Sequence, residues 1–202
     1  MIGGAAASIR EHHAMLSELD SVAGDGDHGA TMLRTVERLE QAFSPEAHSD
    51  LKTCLREAGW NVLSVDGGAS SALLGTLFLG MAEAPAGAGL ACIFEAGLVG
   101  MRKQTKAQPG DKTIMDALVP AVGVLCAAVD AGKNVTEALR EAARAARTGA
   151  EATKNLAARY GRARYLGERT HGYPDPGATS MALMFEGFCN GLMELKGEVN
   201  NA

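Results

Sequence analysis

Residues 175–195, DPGATSMALMFEGFCNGLMEL, decide the fold class of this chain. The large apolar side chains recur three or four positions apart and so share one helix face: Met181, Met184, Phe185, Phe188, Leu192 and Leu195. Asp175 suits the N-cap of that helix, and Pro176 suits its first position. The pattern therefore predicts a helix over residues 177–196.

The same periodicity recurs along the whole chain. It predicts further helices over residues 5–20, 29–43, 48–65, 69–84, 88–106, 113–131 and 135–158, the last with a capping box formed by Asn134 and Glu137. The chain has 25 Gly and 36 Ala among 202 residues, but only 15 Ile and Val and 4% aromatic residues. Because alanine favours helices and β-formers are scarce, we predict one all-α domain over residues 1–202.

Charge and cysteine content exclude several classes of protein. The net charge is −5 without any basic run, which disfavours nucleic acid as a partner. No signal peptide or membrane span is visible, so we expect a cytoplasmic protein without a membrane partner. The four cysteines are scattered, which predicts buried free thiols.

Polar residues and glycines gather in four segments, each at or near a predicted helix start. Backbone N–H groups at such starts attract anions. The segments are DSVAGDGDHGAT at 20–31, DGGASS at 66–71, PGDKT at 109–113, and YGRARYLGERTHGYPDPGATS at 160–180.

The first segment is the most informative. Asp20, Asp25 and Asp27 are three carboxylates within eight residues, and such a group repels itself unless a cation compensates it. Hard oxygen ligands favour Mg²⁺ or Mn²⁺. The alternative is a helix N-cap with solvated acids. A dinucleotide-binding loop is rejected, because helical sequence and not a strand precedes the glycines.

The other segments are weaker signals individually. The glycines and serines of 67–71 could bind phosphate or form an ordinary helix cap. Lys112 could contact phosphate, but its spacing favours a solvated lysine, and Thr113 is a candidate cap. Arg162 could bind phosphate, whereas ion pairing with Glu168 is an equal alternative for Arg164 and Arg169. Together the four segments indicate a nucleotide-dependent phosphoryl transferase with an unidentified acceptor.

Five motifs in order resemble the L subunit of dihydroxyacetone kinase: GDGDHG, GGAS, PGDKT, GRARYLGER and DPGATS. The resemblance implies an eight-helix antiparallel up-and-down barrel, with ADP or ATP and two Mg²⁺ ions at one end. It implies Asp20, Asp25 and Asp27 as metal ligands. It places at the nucleotide His28, Gly29, Ala30, Thr31, Ala69, Ser70, Thr105, Ile114, Arg162, Asp175, Pro176 and Gly177.

The resemblance also implies partners. The family's acceptor, dihydroxyacetone, is held on a separate K subunit, so this chain needs no nucleophile of its own. A retained ADP, rephosphorylated by a phosphotransferase-system protein, is favoured over exchanging ATP. A related ketose such as erythrulose is an alternative acceptor. A non-catalytic, nucleotide-bound partner of a transcription regulator is a different class of hypothesis.

Three departures from the family pattern carry expectations. Thr31 stands where Asn is common, and Ile114 stands where Met is common. The stretch before Asp20 is short, which predicts a trimmed first helix and a less well closed seam. We also expect the loop glycines, Gly29 among them, to serve the site, and the alanines to pack the barrel wall.

Overall fold

A computed structural model describes residues 1–44 and 50–200, without the side chains of 195–200. The described residues form helices and no strand. The α-helices are α1 Ile2–Ser21, α2 His28–Ala42, α3 Leu51–Leu63, α4 Gly68–Met81, α5 Leu90–Arg102, α6 Met115–Asp130, α7 Val135–Ala152 and α8 Pro176–Asn200. Two 3₁₀ segments, Thr153–Asn155 and Arg162–Thr170, lie between α7 and α8.

The helices are arranged as a closed antiparallel ring. Each packs against the next along the chain, and α1 packs against α8 to close the seam. Inside the ring, Phe94 of α5 meets Phe185 and Phe188 of α8, with ring centroids 5.2 and 5.8 Å apart. The predicted up-and-down helical barrel is confirmed. The expected looser seam is wrong, since α1 has 20 residues and packs along both α2 and α8.

Helix ends follow local chemistry. Asn134 and Glu137 form the predicted capping box of α7. Asp50 caps α3 by accepting the Thr53 amide at 2.9 Å, so α3 begins later than predicted; residues 48 and 49 lie outside the described residues. Helix α7 ends at Ala152, earlier than predicted, where the chain tightens into a 3₁₀ turn.

The expectation about glycines is wrong in part. Gly29 lies inside α2 against the His13 carbonyl of α1, and a Cβ there would overlap that oxygen. Gly187 of α8 lies in the same way against the backbone of Gly4 and Ala5. Glycine therefore also brings helix axes together, because a side chain at these crossings would meet backbone that cannot move aside.

The four cysteines are free, as predicted. Cys54 and Cys189 are buried, Cys126 is half-buried and Cys92 is exposed, so the predicted burial of all four is wrong. In the described part of the chain, no helix is both long enough and apolar enough to cross a membrane.

Candidate functional site

The four polar segments are the four loops at one end of the barrel. Each connects the end of an odd-numbered helix to the start of the next even-numbered one. His28 at the start of α2 joins two of the other starts. Its Nε2 lies 3.0 Å from Ser180 Oγ of α8, and its Nδ1 lies 3.4 Å from Ser70 Oγ of α4. The barrel therefore gathers segments that are far apart in the sequence.

The aspartate cluster lies between α1 and α2. One carboxylate oxygen each from Asp20, Asp25 and Asp27 lies within 4.8 Å of the others. Gly26 has a φ of 77°, which lets the loop fold back between the two aspartates. Gly24 leaves room for Asp20, because a Cβ there would overlap that carboxylate.

The three negative charges of the cluster face one cation among the described residues, Arg162, and so are compensated only in part. Asp20 Oδ2 is buried without a hydrogen-bond partner in the described residues. Burial raises the pKa of Asp27, and the nearby Asp25 and Asp20 raise it further. Asp27 occupies the N-cap of α2 without accepting a cap hydrogen bond. An ordinary helix cap does not explain these facts, whereas a hard divalent cation fits three convergent carboxylates, one with an orphaned oxygen.

Arg162 supplies positive charge from the opposite side. It opens the second 3₁₀ segment and pairs with Asp25, and its Nη2 lies 4.0 Å from Asp27 Oδ1. The hydrogen bond from Arg162 lowers the pKa of Asp25. Such an exposed pair adds little stability, so the contact leaves the guanidinium available to a stronger anion.

Ion pairing of Glu168 with Arg164 or Arg169, the alternative that the sequence left open, does not form among the described residues. Glu168 pairs with His171 at 3.2 Å, and Arg164 lies over the Tyr165 ring, 4.6 Å from its centroid. Tyr165 is 77% exposed, and Arg169 is exposed as well. Both pairs are formed with near neighbours in sequence, because the 3₁₀ segment keeps these side chains on its outer surface.

His28 is buried, and burial lowers the pKa of its imidazole, opposed by the charge of Asp20 and a hydrogen bond to the Pro176 backbone. It therefore stays neutral at neutral pH. Gly29, the next residue, is buried as well, whereas Ala30 is exposed on the same helical turn. Ala69 is exposed and Ser70 half-buried at the start of α4. These residues line a polar surface beside the aspartate cluster.

Thr31 is 1% exposed and lies against Gly67, which connects α2 to the loop before α4. Arg34 donates to Thr31 Oγ1 at 3.1 Å and to the Asp66 carbonyl at 2.8 Å. Arg34 is not among the residues predicted from the sequence. A signal was present, because Arg34 follows Thr31 by three residues and so lies on the same helix face.

The remaining predicted residues divide into two places. Gly177 lies beside Ile114, which is buried at the start of α6. Gly177 O also accepts a hydrogen bond from Ser180 Oγ at 3.0 Å, which connects Gly177 and Ile114 to the hydrogen bonds of His28. Pro176 begins α8, as predicted. Thr105 lies in the loop after α5, where its hydroxyl accepts the Ala107 amide at 3.1 Å and so stabilises its own turn.

Asp175 caps α8, as predicted: its Oδ2 accepts the Ala178 amide at 2.7 Å. Burial raises the pKa of Asp175 to about 7, and Asp116 adds to this effect while Lys112 opposes it. The folded chain thus holds a proton on Asp175 that the unfolded chain releases near pH 4.

This difference predicts a pH-dependent effect of Asp175→Asn. Because the folded state binds the extra proton, the contribution of Asp175 to stability is present below about pH 4 and is lost as the pH rises through about 7. Asn keeps the capping oxygen and carries no titrating proton. We expect the variant to gain stability relative to the original chain between about pH 5 and about pH 8.

Urea denaturation across that pH range measures the difference. Asp130→Asn, at the exposed far end of α6, is the matched control for the loss of one carboxylate. An Asp175→Asn difference that does not change with pH would contradict the raised pKa of Asp175.

Lys112 corrects a prediction. It is 5% exposed and not solvated, and its Nζ donates to backbone carbonyls of Thr153, Thr170 and Tyr173. Thr113 Oγ1 accepts the Met115 amide at 3.2 Å, but Ile114 occupies the N-cap of α6. Asp116 organises this turn by accepting the amides of Gly110 and Thr113.

The site lies on exposed loops, where the side chains of Asp25, Asp27 and Arg162 are about half exposed. A cavity of about 330 Å³ lies elsewhere, between α1, α7 and α8, with His12, Arg147 and Thr179 in its lining. None of the predicted site residues lines it. The polar end of the barrel is therefore the candidate functional site. Among the described residues, the carboxylates, the arginine and the helix starts converge only there.

A closed all-helical barrel with an acidic loop and converging helix starts at one end defines a class of helical domain suited to anionic, metal-bound ligands. Within that class, the chain belongs to the DAK2 domain family, whose model matches residues 22–190.

Relatives of known function agree over most of the chain. It is 40% identical over 182 residues to the ADP-binding subunit DhaL of a PEP-dependent dihydroxyacetone kinase from Listeria innocua, covering 88% of this chain and 86% of the relative. It is 38% identical over 177 residues to the corresponding Escherichia coli subunit, covering 85% and 84%. These relatives are subunits of phosphotransferases.

A solved structure agrees with the fold. The dihydroxyacetone kinase of C. freundii in complex with AMP-PNP and Mg²⁺ superposes with a TM-score of 0.74 at 28% identity. The match covers 94% of this chain and 33% of that kinase, so this chain corresponds to about a third of the larger protein.

Proposed function

We propose that this chain is the nucleotide- and Mg²⁺-binding subunit of a dihydroxyacetone kinase, formed by one helical domain over residues 1–202. It passes a phosphoryl group from bound nucleotide to dihydroxyacetone held on a separate K subunit. ADP stays bound and is rephosphorylated by a phosphotransferase-system protein. Similarity to the PEP-dependent subunits supports this donor scheme over exchanging ATP.

The aspartate cluster is the single observation that carries the proposal. Asp20, Asp25 and Asp27 would hold Mg²⁺, and the buried Oδ2 of Asp20, which has no partner among the described residues, is a free ligand atom. Mg²⁺ usually binds a few carboxylates together with substrate phosphates, and when bound it neutralises polyphosphate charge.

Residues around the cluster would position the nucleotide. The starts of α2 and α4 would offer backbone N–H groups to phosphate, near His28, Gly29, Ala30, Thr31, Ala69 and Ser70. Arg162 would exchange Asp25 for a phosphate oxygen. Thr105, Ile114, Asp175, Pro176 and Gly177 would form the wall on the side of α6 and α8. No nucleophile is required, because positioning and charge stabilisation account for most of phosphoryl transfer.

A separate acceptor-bearing subunit fits the exposed rim of the site. Tyr165 is 77% exposed beneath Arg164, only three residues from Arg162. Tyrosine and arginine are enriched among residues that dominate protein interfaces. A K subunit docked on this rim would bring its acceptor to the phosphates.

Two measurements test the proposal. The first is titration of the chain with ADP, with and without Mg²⁺, and we expect affinity that depends on Mg²⁺. The second is turnover with a K subunit, dihydroxyacetone or erythrulose, and either ATP or a phosphorylated phosphotransferase-system protein. Mg²⁺-dependent binding without product under both donor schemes would instead support a regulatory nucleotide-bound partner, and absent Mg²⁺-dependent binding would refute the kinase assignment.

Arg162→Ala is expected to weaken Mg²⁺-ADP binding by roughly 10-fold or more, because a charge-assisted hydrogen bond to phosphate is lost. Arg169→Ala is the matched control, since Arg169 is exposed on the same 3₁₀ segment. Isothermal titration of both variants measures the effect. Equal losses in the two variants would remove Arg162 from the nucleotide site.

A further inference from the structure

Lys112 is a buried cation for which the proposed function has no use. It lies in the turn before α6 and is 5% exposed. Its Nζ donates to Thr153 O at 2.8 Å, Thr170 O at 2.8 Å and Tyr173 O at 2.7 Å. An ammonium group has three donors, and backbone carbonyls use all three.

Those carbonyls belong to the two ends of one connection. Thr153 begins the 3₁₀ turn directly after α7, Thr170 ends the second 3₁₀ segment, and Tyr173 leads into α8. One ammonium group therefore binds both the beginning and the end of the segment that connects α7 to α8. Arg162 lies between these tied ends, at the start of the second 3₁₀ segment, where it reaches Asp25.

Neighbouring contacts complete this clamp. The Gly172 amide donates to Lys154 O at 2.9 Å, and the Asp175 amide donates to Thr153 Oγ1 at 2.8 Å. Arg159 binds Asp111, the residue before Lys112, through both its backbone amide and its guanidinium. The turn before α6 thus holds the connection at several points, with Lys112 at the centre.

The conformation and burial of Lys112 both cost free energy, which indicates that a lysine is needed at this position. Lys112 has a φ of 59°, a left-handed conformation that lysine adopts unfavourably and glycine would adopt freely. Burial lowers the pKa of Lys112, opposed by the charges of Asp175 and Asp116. The backbone conformation favours glycine at this position, so the lysine is explained by the hydrogen bonds that its side chain makes.

We propose that Lys112 is a positioning residue for Arg162: it fixes the connection between α7 and α8 across the end of the barrel, so that Arg162 is preorganised toward the aspartate cluster. This inference rests on the proposed function for its effect on nucleotide. Its effect on the connection itself does not depend on that function.

Lys112→Met tests the proposal, because methionine fills the same space and cannot donate. Lys112→Gly is the second variant: it suits the left-handed backbone and admits water, which keeps the test available if the methionine variant does not fold. Lys133→Met, at an exposed lysine paired with Glu141, is the control. Circular dichroism checks that each variant retains its helices.

Hydrogen–deuterium exchange is the first readout. We expect faster exchange of the amides in residues 157–173 in both Lys112 variants, with α2, α4 and α6 protected as in the original chain and no change in Lys133→Met. Unchanged exchange in 157–173 would overturn the proposal whether or not the chain binds nucleotide.

Mg²⁺-ADP affinity is the second readout. We expect Lys112→Met to bind about 10-fold more weakly or worse, as misplacement of a binding group predicts. If Lys112 acts through Arg162, adding Arg162→Ala to Lys112→Met weakens binding little further. A double variant whose loss equals the product of the single losses would overturn the positioning role. An original chain without Mg²⁺-ADP affinity would refute the proposed function, while the exchange result would still decide the role of Lys112.

Discussion

Asp25→Ala is expected to abolish Mg²⁺-dependent ADP binding while leaving the helical barrel folded. The loss should exceed about 100-fold, because removing even outer partners of metal ligands commonly costs about 10–100-fold. Asp25 is exposed and its ion pair with Arg162 adds little stability, so thermal unfolding should change little. Calorimetric titration with ADP and Mg²⁺, together with circular dichroism, measures both effects.

Asp27→Ala should behave in the same way, since both carboxylates belong to the cluster. Asp130→Ala is the control, because it removes an exposed carboxylate at the opposite end of α6. Near-original affinity in either cluster variant would show that the metal ligands are misassigned. An equal loss in Asp130→Ala would indicate a general effect of net charge.

Gly187→Ala is expected to destabilise the barrel even though alanine is the better helix former. A Cβ at Gly187 would overlap the backbone of Gly4 and Ala5 and force α8 away from α1 along the seam. Overpacking of this kind costs about 1–3 kcal/mol, and more where backbone must shift. For a chain of this size, that corresponds to a drop in Tm of roughly 2–4 °C per kcal/mol.

Gly123→Ala is the matched substitution with the opposite expected sign. Gly123 lies inside α6, and nothing lies within 4 Å of the position that an added methyl group would take. Alanine there should stabilise the protein by about 0.5–1 kcal/mol through helix propensity alone. Denaturation of the two variants under identical conditions measures both, and a loss of stability at Gly123 or a gain at Gly187 would contradict the packing.

Much of the fold could be predicted because its signals are local. The apolar spacing in α8, the capping box of α7 and the Asp175–Pro176 start each depend on residues within about two helical turns. The polar loops could be found for the same reason, since glycines and acids mark helix ends. The packing of α1 against α8, which closes the ring, could be predicted only from the family resemblance, because no local pattern indicates which distant helices pack together.

The errors have a common physical origin. Lys112 has the sequence surroundings of a solvated lysine, and its burial depends on three carbonyls that lie between 41 and 61 residues away. Gly29 has the surroundings of a loop glycine, and its packing role depends on where α1 crosses α2. The exposure of Cys92 likewise depends on which face of α5 the neighbouring helices cover.

By itself the sequence determined the all-helical class, the positions of most helices and the four segments that carry the chemistry, because helix propensity, capping and periodicity act over a few residues. Only the tertiary structure decided that His28 meets Ser180, 152 residues away, and that one buried carboxylate oxygen of Asp20 has no hydrogen-bond partner among the described residues. The tertiary structure also decided that Lys112 holds the connection that carries Arg162. Burial and convergence are properties of the packed barrel, and they turn separate polar loops into one candidate site.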